Sequence, residues 1–106
     1  MSEPVVTQES DRFSIALEGQ PAGFTQFVES EGRRIFFHTV VDPAFEGKGL
    51  AGRLVRQALD ATRAAGLRVV PVCPYVKSYV EEHEDWADLL ERPTRADMAA
   101  VESVTQ

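Results

Sequence analysis

The segment Arg34-Ile35-Phe36-Phe37-His38-Thr39-Val40-Val41-Asp42-Pro43, followed closely by Glu46-Gly47-Lys48-Gly49-Leu50-Ala51-Gly52, decides how the chain folds. Its first half is crowded with β-branched and aromatic residues, which suit a pleated, half-buried surface, so Arg34 to Val41 is predicted to be a strand. Asp42-Pro43 closes it, because proline has no N–H with which to continue a ladder. The second half is a glycine turn. Beyond it Ala51, Leu54, Val55, Ala58, Leu59, Thr62 and Ala65 recur at spacings of three and four, with Arg53, Arg56, Gln57, Asp60 and Arg63 between them. That spacing predicts an amphipathic helix over Leu50 to Ala65.

Working outward, Arg12 to Leu17 alternates, with Phe13, Ile15 and Leu17 on one face. Glu18-Gly19-Gln20-Pro21 then turns the chain into a second strand, about Ala22 to Val28, which ends at Glu29-Ser30-Glu31-Gly32. Residues 1–11 form a polar N-terminal segment. On the other side, Gly66 fits the left-handed position past the helix end, and Arg68 to Val72 reads as a short buried strand interrupted by Pro71. Pro74 opens a second helix, read from Tyr75, Val76, Tyr79, Val80, His83, Trp86, Leu89 and Leu90 as three to four turns long. Pro93 stops it, and residues 93–106 are a short helix or a tail. The expected fold is α+β: three antiparallel strands, then helix, strand, helix, with a right-handed crossover that makes the last two strands parallel. One domain spans residues 12–92.

A chain of 106 residues has room for a single core, and 43% hydrophobic with 26% charged residues is ordinary for a folded domain. The formal net charge of −6 repels a nucleic-acid backbone and disfavours anionic membranes, so neither is an expected partner. An anionic ligand must then be held by local donors. Cys73 is the one cysteine, which excludes an internal disulfide, and no Cys/His spacing suits zinc, so no metal is expected. The N-terminal residues lack a basic flank with an apolar run, and no stretch approaches the roughly 18 apolar residues of a membrane span. A cytoplasmic protein, monomeric or weakly dimeric, is the expectation.

Gly47-Lys48-Gly49-Leu50-Ala51-Gly52 matches G-x-G-x-x-G, but a dinucleotide site also needs an acidic residue about 20 positions on for the ribose, and Leu67 to Cys73 contains none. The turn instead resembles motif A of the GCN5-related N-acetyltransferases, with Gly49 and Ala51 matching and Glu46 standing where Gln or Arg is usual. The resemblance extends over about residues 12 to 90, through Phe36 to Val41, the first helix, and Pro71-Val72-Cys73-Pro74-Tyr75-Val76 with Tyr79 and His83. It looks like the small single-domain subgroup with a cysteine at the CoA site. The resemblance implies a minimal fold of that family, acetyl-CoA as donor, and a small-molecule or protein amine as acceptor. It implies that backbone amides at the start of the first helix hold the diphosphate. Val40, Val41, Gly47, Lys48, Gly49, Leu50, Ala51, Gly52, Arg53, Pro74, Tyr75 and Tyr79 are the expected cofactor-binding residues.

Cys73 and His38 are the catalytic candidates. A thiol just before a helix start faces the positive end of the dipole and can become a nucleophile, or it simply packs. His38, on the strand that lines the acyl site in the family, can deprotonate Cys73 or an incoming ammonium, or it too packs. Tyr75, Tyr79 and His83 recur on one helical face, where a tyrosine can protonate the departing thiolate. Two routes stay open, direct transfer to the amine and transfer through Cys73. A CoA-binding or sensing module with weak or no catalysis is the alternative function.

Overall fold

The computed structural model describes residues 3–45, 47 and 49–105, and within them the strands form one five-stranded sheet in sequence order. These are β1 (Val5–Gln8), β2 (Arg12–Leu17), β3 (Gln20–Ser30), β4 (Arg33–Val41) and β5 (Arg68–Pro71). The helices are α1 (Leu50–Ala64), α2 (Pro74–Glu82) and α3 (Arg95–Thr105). β1 to β4 are antiparallel, joined by two-residue turns at Glu18-Gly19 and Glu31-Gly32 whose positive φ values suit tight hairpins. β5 lies parallel to β4 because α1 carries the chain back across the sheet. The α+β architecture with a parallel strand pair is the one expected.

Two details differ from the sequence reading, and a third resolves an alternative it left open. Four antiparallel strands precede α1, not three. The extra one, β1, is four residues long and exposed apart from Val6, so it offers no alternation to read. The segment from Tyr75 to Leu90 is not one helix: α2 ends at Glu82, His83 is extended (φ −128°), and Glu84–Leu89 make a separate 3-10 turn. The apolar spacing runs on across the break because Trp86 folds back into the same core as Val76 and Val80. Residues 95–105 are a true helix, opened by a reciprocal pair in which the Thr94 amide donates to Asp97 Oδ2 (2.8 Å) and the Asp97 amide to Thr94 Oγ1 (3.1 Å).

The sheet separates two layers. On one face α1 and α2 cover Phe13, Ile15, Phe27 and Phe36, with Leu54, Val55, Leu59, Val76 and Trp86 filling the space between. Trp86 Nε1 donates to Asp60 (3.0 Å), satisfying its polar edge. Arg34 is buried on this face, its guanidinium 4.7 Å above the Phe27 ring and bonded to Thr62 (3.2 Å) and Glu29 (3.0 Å). On the other face α3 packs Val101 against Ile35 and Val70.

β4 carries the feature that shapes the site. Phe27 of β3 stands opposite Phe36, but Gln26 stands opposite His38, so Phe37 is an extra residue, a β-bulge. Phe36 and Thr39 therefore share the α1–α2 face. Phe37 joins the Ile35 and Val101 cluster on the other, and His38 follows it there, beside Phe24 and the end of α3. The ladder to β5 stops at the same place: Phe36 pairs with Pro71, and the Phe36 carbonyl then accepts from both the Val72 amide (2.9 Å) and the Cys73 amide (2.8 Å).

α3 is fastened to β4 by Arg33, which pairs with fully buried Asp97 and with Glu91 (3.3 Å). Burial pushes the Asp97 carboxyl up, but the Thr94 amide, the Arg33 guanidinium and the Thr94 hydroxyl together hold it below the usual carboxylate value. A carboxyl more acidic when folded stabilises the fold above its unfolded pKa, about 4, and that contribution is lost as pH falls through the lower folded value. Asp97→Asn is accordingly expected to lower the urea midpoint at pH 7, followed by Trp86 fluorescence. The gap to the unmutated chain should narrow as pH falls below about 4, whereas an equal gap at both pH values would contradict the charge pairing.

Candidate active site

The turn from β4 into α1 builds one wall of the site. Gly49 caps α1 in the left-handed conformation (φ 71°), and a Cβ placed on it would meet nothing within 4 Å. The first intrahelical bond runs from the Arg53 amide to the Gly49 carbonyl (3.3 Å), so the amides of Leu50, Ala51 and Gly52 have no acceptor within the helix. No side chain caps this end, and the first turn holds no acidic residue. Such an end concentrates partial positive charge and unpaired donors, which suits an anion.

These residues open into a recess of about 380 Å³, lined by Thr39 and Val41 of β4, Phe45, Gly47, Gly49, Leu50, Ala51, Gly52, and Tyr75 of α2. A phosphate-bearing group fits this wall on two counts: unused amides point from it, and the glycine side leaves room for close approach. Tyr75 is 42% exposed, and its hydroxyl is pushed up by burial and by the neighbouring Tyr79 and Glu82, so it stays protonated at neutral pH. Burial raises Tyr79 as well, partly opposed by Arg56.

Of the residues singled out in the sequence, the structure brings Val41, Gly47, Gly49, Leu50, Ala51, Gly52 and Tyr75 together here. Gly52 also lies under the Tyr79 ring, where an added Cβ would stand 3.8 Å from it, and Tyr79 stacks on His83 at 4.1 Å and leans on Trp86. Val40 points to the opposite face, into a different recess with Phe24 and Asp42. Arg53 pairs at the surface with Glu3 (3.1 Å). Pro74 is the exposed first residue of α2. Lys48 and Glu46 lie outside the described residues.

The two catalytic candidates are not brought together. Cys73 is 4% exposed and caps α2, yet its sulfur makes no bond to the amides of that helix; it donates instead to Thr39 Oγ1 (3.3 Å). His38 is exposed on the far face, its ring 5.9 Å from that of Phe24. The separation follows from the bulge, which turns Thr39 rather than His38 toward Cys73. Thr39 and Phe45 are site residues that the sequence did not signal: simple alternation from Phe36 places His38 on the inner face and Thr39 on the outer one.

Comparison with known proteins agrees with this architecture. Residues 12–89 match the family model described as GCN5-related N-acetyl-transferase. Protein NATD1 of Mus musculus is 34% identical over 74 residues, covering 68% of this chain and 67% of that protein. The spermidine N(1)-acetyltransferase of Escherichia coli K12 is 36% identical over 55 residues, which is 50% of this chain but 30% of the relative's length. The solution structure of a GCN5-like protein from Staphylococcus aureus superposes with a TM-score of 0.67 at 17% identity, covering 86% of this chain and 91% of that one, a likeness of fold.

Burial of Cys73 has a direct chemical consequence. A bulky thiol reagent is expected to label the native chain at least ~10-fold more slowly than the urea-unfolded chain, since access requires opening of the α2 layer. Mass spectrometry over time reads the two rates, and equal labelling would show the thiol to be open to the recess.

Proposed function

The chain belongs to the GCN5-related N-acetyltransferase family, and from that premise we propose that it moves the acetyl group of acetyl-CoA directly to a primary amine. The observation that carries this reading is the recess that joins the unpaired amides of α1 to β4 and to Tyr75. Acetyl-CoA supplies the acetyl group as an activated thioester. Leu50, Ala51 and Gly52 hold the diphosphate by their backbone amides, and Gly47 and Gly49 let it approach the main chain. The net charge of −6 works against a polyanion, which is why donors at close range must do the holding. Tyr75, kept protonated by burial, is the donor within the recess for the departing thiolate.

The acceptor is a cationic amine in this reading. One relative's name specifies spermidine, and for this chain the support is a second recess of about 770 Å³ on the opposite face. Glu9, Asp11 and Asp42 line it together with Phe24, Val40 and Arg12, whose guanidinium lies over Phe24 and pairs with Asp11 (3.4 Å), leaving three carboxylates against one cation. His38, packed against Phe24 on that face, is the base we assign to the incoming ammonium. Direct transfer is favoured over a covalent route because the Cys73 thiol is buried and engaged with Thr39.

A matched pair of substitutions tests the donor site. Gly49 (φ 71°) and Gly66 (φ 74°) flank α1, and an added Cβ meets nothing within 4 Å at either. Gly49→Val and Gly66→Val should both destabilise the fold by about 1–2 kcal/mol through backbone strain. Only Gly49→Val should weaken acetyl-CoA, by more than ~10-fold in calorimetry, because its side chain enters the anion wall. Equal affinities in the two variants would overturn the donor assignment. Thiol release from acetyl-CoA with spermidine, lysine peptides and neutral amines then tests the acceptor. Turnover should favour the polycation, and tight donor binding with no turnover would leave only a binding module.

A further inference from the structure

The hydrogen-bond arrangement around Thr39 leaves one hydrogen with no acceptor among the described residues. Thr39 and Thr25 stand opposite each other in the β3–β4 ladder, their hydroxyl oxygens 2.9 Å apart. Thr25 is fully buried beneath Phe13, its partner across β2 and β3, and among the described residues its hydroxyl meets Thr39 alone. Were Thr39 the donor, the Thr25 hydrogen would be orphaned in the core. A buried unpaired donor costs more than a hydroxyl oxygen whose lone pairs go unused, so Thr25 donates. Cys73 Sγ donates to the same Thr39 oxygen at 3.3 Å. Both lone pairs of Thr39 are then occupied, and its own O–H has only the recess to point into, where Thr39 is part of the lining.

We propose that Thr39, oriented by Thr25 and Cys73, donates this hydrogen to the carbonyl oxygen of the bound acyl thioester, and that Cys73 is a positioning residue rather than the carrier of the acetyl group. The proposal rests on the acetyl-CoA reading above. Thr39 stands on β4 two residues, about 7 Å, further from the glycine turn than Val41, as suits the acyl end of a ligand whose diphosphate sits at the turn. In the transfer, the amine nitrogen bonds to the carbonyl carbon while the C=O pair shifts onto oxygen, where the Thr39 hydrogen bond meets the growing negative charge. When the pair returns, the C–S bond breaks, its electrons leave on the CoA sulfur, and the proton lost by the amine balances that thiolate. Thr39 keeps its own proton throughout. A preorganised donor of this kind acts on the charge that builds in the transition state.

The test compares two ligands by calorimetry: acetyl-CoA, and S-ethyl-CoA, a thioether that lacks the carbonyl oxygen. Thr39→Val should weaken acetyl-CoA about 10-fold and leave S-ethyl-CoA within about twofold. Its kcat should fall about 100-fold. Thr39→Ser should restore both, and Thr39→Ala replaces the valine should that variant not fold. Cys73→Ser, which keeps a donor to Thr39, should retain the native ratio of the two affinities, while Cys73→Ala should shift it in the direction of Thr39→Val. An unchanged ratio in the Thr39 variants overturns the donor role. A Cys73→Ser chain with native affinities but no turnover overturns the positioning role in favour of a covalent one. If the unmutated chain binds neither ligand, the donor assignment itself has failed, a result separable from the others.

Discussion

One extra residue in β4 governs the rest of the site. Were Phe37 in regular alternation rather than bulged, Phe36, His38 and Val40 would stand against α1 and α2, and Thr39 on the far side with Ile35. The bulge exchanges these sets beyond Phe36, so that Thr39 and Val41 face the recess while His38 and Val40 face away. The same point ends the β4–β5 ladder, with the Phe36 carbonyl accepting two successive amides from Val72 and Cys73. A strand that bends away from its neighbour leaves an opening at the sheet edge, and Cys73 and the start of α2 sit beside it. Bulge and ladder end thus fall at one place, where the chain leaves regular pairing and turns Thr39 toward the recess.

The second determinant is the beginning of α1. A 15-residue helix with an uncapped start, no acidic first-turn residue and a left-handed glycine before it presents donors with no partner among the described residues. α2 also lacks a side-chain cap, and Pro74 at its first position has no N–H to satisfy there. α3 differs: the Thr94–Asp97 exchange engages the Asp97 amide, and Arg33 ties that pair to β4. A net negative chain can still attract an anion at the start of α1, because partial charges at bonding distance outweigh a diffuse field screened within about 8 Å at physiological salt.

Much of the fold was legible because its signals are local. β4 announces itself by composition, α1 by its spacing, and both hairpins by polar glycine turns. β1 was not legible, since an exposed four-residue edge strand has no periodicity, and the break at His83 was hidden by a core that continues on both sides of it. In the site, the part made of backbone was readable: glycines at a strand-to-helix turn specify main-chain geometry directly. The part made of side-chain direction was not. Thr39 becomes a site residue, and His38 leaves the vicinity of Cys73, through a register shift that depends on what β3 places opposite, and no spacing within β4 encodes that.

The two faces of the sheet end up with different electrostatic characters, and this bears on how a short chain can handle two unlike ligands. The α1–α2 face offers backbone donors and a protonated tyrosine to an anion. On the opposite face α3 packs over Ile35, Phe37 and Val70 and ends beside His38, while Phe24 and Val40 lie in a separate recess edged by Glu9, Asp11, Arg12 and Asp42. Carboxylates placed next to the phosphate wall would oppose the donor; placed across the sheet, they are separated from it by the strand layer.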